Sequence, residues 1–211
     1  MAYDLEEQEK LDAIRAWWDR YGTLCIALAF VVVASIAGWR GWQWYQDHKA
    51  NQAMGYFEAL ERSAAQQGDD AVTRIRAAAD TLRTDFPDSG YASRAALIAA
   101  HALAQRGELD AARQQLEWLV ARKQDPAFAE LARLRLAGVL LQQSQYDQAL
   151  SQLAQPSAAF EGLFADRRGD IFSAQGKKAE ARQAWEQALK ALGADPASQI
   201  VQLKIDALSG D

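Results

Sequence analysis

The sequence predicts an all-α protein, with a single transmembrane helix followed by a superhelix of helical repeats and a C-terminal capping helix. Three observations predict it. Residues Tyr21 to Trp39 carry no charge in a chain whose overall charged fraction is 24%. From about Asn51 onward the chain is rich in Ala, Leu, Gln and Arg with almost no β-branched alternation, so the apolar period is that of a helix rather than a strand. All four prolines, Pro87, Pro126, Pro156 and Pro196, lie beyond the uncharged run at intervals of 39, 30 and 40 residues.

The uncharged run of 19 residues, at about 1.5 Å per residue, reaches roughly 28 Å, close to the thickness of a bilayer's hydrocarbon core. Aromatic residues mark both of its ends. Trp17, Trp18 and Tyr21 stand at the start, and Trp39, Trp42, Trp44 and Tyr45 at the finish, where rings with a polar edge favour the water–lipid boundary. Arg40 is placed to snorkel toward head groups. A cleaved signal peptide is the rival, because Ser35-Ile36-Ala37 before Gly38 has spacing that a signal peptidase accepts. The 20 residues ahead of the run hold six acidic side chains against three basic ones, unlike a short positive leader. Lys10, Arg15 and Arg20 barely outnumber Arg40 and Lys49, a count that leans toward an N-terminus on the cytoplasmic side. The expected layout is a cytoplasmic tail over 1–20, the span over 21–39, a juxtamembrane linker over 40–51 and a repeat domain over 52–211. Within the tail, Leu5, Leu11, Ile14, Ala16, Trp17 and Trp18 suggest a short amphipathic helix leading into the span.

Composition narrows the function classes. A net charge of −5 with a pI near 5.2 provides no basic stripe for phosphates, which argues against nucleic acid. The one cysteine, Cys25, lies inside the apolar run, so no intrachain disulfide or cysteine metal site can be built. The two histidines, His48 and His101, belong to no motif joining them to a nucleophile, and no Gly-rich phosphate loop occurs. No catalytic residue, cofactor or metal ligand is assigned.

Each proline follows an apolar-periodic segment that it would terminate. Asp125-Pro126 and Asp195-Pro196 read as N-cap carboxylates with proline pre-set at the first helical position. Gly68, Gly107 and Gly176 suit the left-handed residue that closes a helix, and Ser144 holds the corresponding place in the third unit. In the last unit Gly169, Phe172, Gly176, Ala181, Trp185, Ala188 and, displaced by three, Pro196 follow a pattern of small residue, aromatic, turn, Ala, aromatic, Ala, Pro. In the second unit Ala100, Leu103, Gly107, Ala112 and Leu116 occupy the same places, as do Ala137, Leu140, Ser144, Ala149 and Leu153 in the third. These units resemble the tetratricopeptide repeat, and the unit before Pro87 fits it poorly. Leu116, Leu153 and Trp185 are expected to fill the space between units, and Pro196 to Leu208 to form the capping helix.

If the pairs stack as tetratricopeptide units do, the first helix of each lines a groove. The exposed positions are then Arg94, Leu97, His101, Leu131, Leu134, Leu141, Leu163, Asp166 and Asp170, apolar in the middle and charged toward the ends. The central leucines have an equal claim to be ordinary core. The run Asp166-Arg167-Arg168-Gly169-Asp170 is expected to be a solvated, ion-paired face.

The acidic tail, the span, Gly38-Trp39-Arg40-Gly41-Trp42 after it, Arg168-Gly169-Asp170 with Ala184-Trp185-Glu186, and Leu203-Lys204-Ile205-Asp206 together resemble the YfgM-like family of proteobacteria, ancillary subunits of the SecYEG translocon. The likeness runs the whole length and rests on the order and spacing of short motifs. It implies an inner-membrane protein with its N-terminus in the cytoplasm and a periplasmic repeat domain. It also implies association with SecYEG and with a membrane-anchored periplasmic chaperone of the peptidyl-prolyl isomerase type, passing translocated chains to periplasmic chaperones. It brings no catalytic residues. Two other functions compete: an anchored scaffold for another envelope assembly, such as division or outer-membrane biogenesis, and a periplasmic enzyme or enzyme subunit that captures substrate through its repeats.

Overall fold

A computed structural model of the protein describes residues 2–122 and 126–209. The described residues form nine helices and no strand: α1 (Ala2–Ala65), α2 (Asp69–Asp85), α3 (Gly90–Gln105), α4 (Leu109–Ala121), α5 (Pro126–Gln142), α6 (Tyr146–Gln152), α7 (Glu161–Ala174), α8 (Lys178–Leu192) and α9 (Ala197–Ser209). The expected all-α class is the observed one. The chain divides into two compact units, Met1–Asn51 and Gln52–Asp211.

The first unit belongs to α1, which is long and apolar enough to cross a membrane. Leu24, Ile26, Leu28, Phe30, Val31, Val32, Val33 and Ile36 are all exposed, so the helix is apolar on every side rather than along one stripe. Such a helix needs an apolar surround, not a single packing partner. Within it the Ser35 hydroxyl donates to the Val31 carbonyl at 2.7 Å, so the polar group is satisfied by the helix itself. Leu11, Ile14, Trp17 and Trp18 are likewise exposed, and the Leu5 side chain lies outside the described residues. The backbone stays helical through residues 40–51, the stretch expected to be a linker.

In the second unit the prolines fall where helix pairs meet. Pro87 separates α2 from α3, Pro126 opens α5, Pro156 lies between α6 and α7, and Pro196 directly precedes α9. The Asp195 carboxylate accepts from the Ala197 backbone N–H at 2.8 Å, the expected cap. Its counterpart Asp125 lies outside the described residues. Ser89 caps α3, its hydroxyl accepting from the Tyr91 N–H.

The turn inside each pair is one motif used three times. Glu108 N–H donates to the Leu103 carbonyl and Gly107 N–H to that of Ala104; Gln145 and Ser144 repeat this on Leu140 and Leu141, and Lys177 and Gly176 on Phe172 and Ser173. These two bonds satisfy carbonyls that the ending helix leaves open, and they require a left-handed residue, met by Gly107 (φ 79°), Ser144 (φ 59°) and Gly176 (φ 76°). Identical turns give α3–α4, α5–α6 and α7–α8 the same hairpin geometry.

The small residues between helices allow close approach. Ala92, Ala95, Ala99, Ala112, Ala132, Ala137 and Ala149 are buried, with Leu103, Leu116, Leu119, Leu140 and Leu153 between them. The core has two parts. A large cluster runs from Ala53 and Leu60 of α1 through Phe164 and Ile171 of α7, while Ala165, Ala181, Trp185, Ala188, Val201 and Ile205 form a smaller one against α9. Of the apolar residues expected on the capping helix, Val201 and Ile205 face inward and Ile200 and Leu203 outward.

Candidate protein-binding groove

The first helices of the three hairpins, α3, α5 and α7, touch in succession, so their outer faces form one surface. The nine positions expected on it divide into three groups. Arg94 and His101 of α3 are exposed, but Leu97 between them is buried in the large core cluster, and this position does not belong to a groove surface. Its side chain fills space between α3 and its neighbours because the flanking residues, Ala96 and Ala100, are too small to do so. Leu131, Leu134 and Leu141 of α5 are half-buried and pack on the same cluster while keeping one side toward solvent.

On α7, Leu163, Asp166 and Asp170 are half-buried. Lys204 of α9 donates to Asp166 Oδ1 and Asp170 Oδ1, each at 2.7 Å, and Arg167 lies 3.3 Å from Asp170. The charged run around Gly169 is thus ion-paired as expected, but against α9 rather than in solvent. Burial sets this: Gly169 is closed over by Trp185, whose Nε1 donates to the Asp166 carbonyl at 3.2 Å. Arg168 turns the other way and donates to the Leu153 carbonyl. Burial lowers its guanidinium below the ordinary arginine value, with Glu161 acting in the opposite direction.

His101 and Leu141 open onto a pocket of about 310 Å³ that lies across α3, α4, α5 and α7. Its walls are Ala100, Ala104, Leu116, Gly138 and Val139, and its polar rim is His101, Arg135, Gln142 and Arg167. Gly138 leaves the space: a methyl placed there would sit 3.7 Å from Arg167 Cζ, so the guanidinium lies directly over the glycine. Arg135 Nη1 donates to the Leu97 carbonyl at 3.1 Å, and desolvation of the side chain lowers its pKa. Arg135 and Arg167 escaped the count along the sequence because each stands two positions before its unit's small residue, Ala137 or Gly169, on the shoulder of the helix rather than its crest. Length lets both reach the pocket. The repeated Arg at that register is the signal that was available.

The aromatics expected at the membrane interface, Trp17, Trp18, Tyr21, Trp39, Trp42 and Trp44, are all exposed on α1, as is Arg40. They pair along the helix, Trp17 with Tyr21 at 5.7 Å between ring centroids and Trp39 with Trp42 at 5.9 Å. Among the described residues no three His, Cys, Asp or Glu side chains stand together as a metal site would require.

A family profile described as a tetratricopeptide repeat-like domain matches residues 15–210. The chain is 32% identical to the ancillary SecYEG translocon subunit of Neisseria gonorrhoeae over 99% of its own length and 100% of the relative's. The chain belongs to the YfgM-like family of ancillary SecYEG translocon subunits. Family members of the same description in Haemophilus influenzae and Escherichia coli are 30% and 28% identical, covering 99% and 96% of this chain. The full-length match covers both the apolar helix and the repeats of this YfgM-like chain, and not the repeats alone.

Proposed function

We propose that the protein is a membrane-anchored, non-enzymatic adaptor of the SecYEG translocon, with residues 1–20 in the cytoplasm, 21–39 across the inner membrane and a periplasmic domain from about residue 52. One observation carries it: relatives named ancillary SecYEG translocon subunit align with the chain from end to end. The aromatic residues at both ends of the apolar run support the span, with Trp17, Trp18 and Tyr21 at one interface and Trp39, Arg40, Trp42 and Trp44 at the other. The half-apolar surface of α3, α5 and α7 supports a protein segment as ligand, held by Arg94, His101, Leu131, Leu134 and Leu141. In this role the domain receives chains leaving the channel and passes them to periplasmic chaperones, in company with a membrane-anchored chaperone of the peptidyl-prolyl isomerase type.

Purification from native membranes in mild detergent tests the association. Translocon subunits should co-elute with the chain at its native level of expression, and a preparation free of them would falsify the assignment. Topology is tested with protease: residues after Trp44 should be cut in spheroplasts and protected in intact cells. Protection in both would place the domain on the cytoplasmic side and end the hand-off scheme. A cross-linking residue at Leu134 should capture protein, and adduct-free, folded domain would return that leucine to the core.

A further inference from the structure

The pocket between α3, α5 and α7 concentrates cationic groups in a chain whose net charge is −5. Arg135 and Arg167 line it from neighbouring helices, His101 lines it from α3, and no acidic residue does. Among the described residues no carboxylate pairs with Arg135 or His101. Arg167 is only partly engaged: its nearest acid, Asp170, is already held by Lys204 at 2.7 Å, and its Nε is buried without a hydrogen-bond partner. Two guanidinium groups above a floor of Ala100, Ala104, Gly138 and Val139 are suited to a planar anion carried on an apolar stem.

We infer that this pocket recognises an internal glutamate or aspartate side chain of an apolar protein segment lying along α5, with Arg135 and Arg167 as the carboxylate donors and Gly138 letting the Arg167 guanidinium lie close against α5. The inference rests on the adaptor reading and specifies the chemistry of its ligand. The segment continues past the pocket over the half-buried Leu131 and Leu134, which supply apolar contact and no charge. The ligand is therefore read by one carboxylate among apolar neighbours, not by a general negative charge.

The test uses the full chain in lipid nanodiscs and a fluorescent peptide, Leu-rich with one central Glu and blocked at both ends, measured by anisotropy against empty nanodiscs. The Glu peptide should bind about tenfold more tightly than its Gln twin, the scale expected for a single charge-assisted hydrogen bond. Arg135→Gln and Arg167→Gln should each erase that preference. Gly138→Leu puts a side chain where the Arg167 guanidinium lies and keeps both charges, and with helicity intact by circular dichroism it should weaken binding of the Glu peptide to the level of the Gln peptide. Equal binding of the two peptides, absence of binding by both, or a preference that survives both arginine variants would overturn the inference. So would a Gln peptide with a free C-terminus binding as tightly as the blocked Glu peptide, since the ligand would then be a chain end. Co-elution of translocon subunits with R135Q and R167Q is scored in parallel: its persistence alongside a failed peptide preference sinks this inference and leaves the adaptor role standing.

Discussion

Gly169 and Trp185 fix how α7 meets α8. A Cβ at Gly169 would come within 2.8 Å of Trp185 Cε2 and closer still to Cδ1 and Nε1, so even alanine forces the indole out of place. The bond from Nε1 to the Asp166 carbonyl would go with it. Gly169→Ala should cost about 1–3 kcal/mol, the range for overpacking a filled core, read as a lower midpoint in urea with Trp fluorescence as probe. An unchanged midpoint would mean the helices slide apart freely. Ser144 presents the opposite case. It holds a left-handed conformation that Gly107 and Gly176 hold in the neighbouring hairpins, and a β-carbon there is strained. Ser144→Gly should raise stability by about 0.5–1 kcal/mol, visible as a higher melting temperature. A fall would show that the hydroxyl or the stiffer chain matters more than the strain.

Among the elements, α1 is the one whose role depends on its surroundings. Its apolar residues face all directions, so a charge at the middle of the run has nowhere to turn. Phe30→Lys should lower membrane insertion by about 2.5–3.5 kcal/mol, whereas Tyr45→Lys should alter it little. Glycosylation mapping in microsomes measures both, and equal effects would argue that the span is centred elsewhere. The helix boundaries were legible in the sequence because punctuation was regular: Pro87, Pro126, Pro156 and Pro196 separate the pairs, and Gly107, Ser144 and Gly176 close the first helix of each. The continuity of α1 through residues 40–51 was less legible, since Gly38, Gly41 and a cluster of aromatics resemble a break as much as a helix. The face of each side chain was harder again. Counting from the small residue places a Cβ, but Leu97 is buried among alanines, Arg135 reaches the Leu97 carbonyl, and Arg167 lies over Gly138. Rotamer and length, which the helical period does not encode, decide those three.

At the scale of the molecule, the sequence conveyed the order of units and little about how strongly they hold to one another. The ion pairs of Lys204 with Asp166 and Asp170 illustrate this, because residues 34 and 38 apart meet only once α7, α8 and α9 are stacked. The core is also not continuous. Its larger part joins α1 through α7, and its smaller part, around Trp185, Val201 and Ile205, belongs to the C-terminal end. In stacked arrays each layer is stabilised by its neighbours, so the last layer, with one neighbour and a small core of its own, opens at the lowest free energy. Amide exchange of the full chain in nanodiscs should therefore show α9 and the second half of α8 exchanging well before α3 and α5; uniform protection would mean a single cooperative block. The divided core acts as a fuse. A quality-control protease meeting this protein would find its first foothold on α9, while α3 and α5 are still folded.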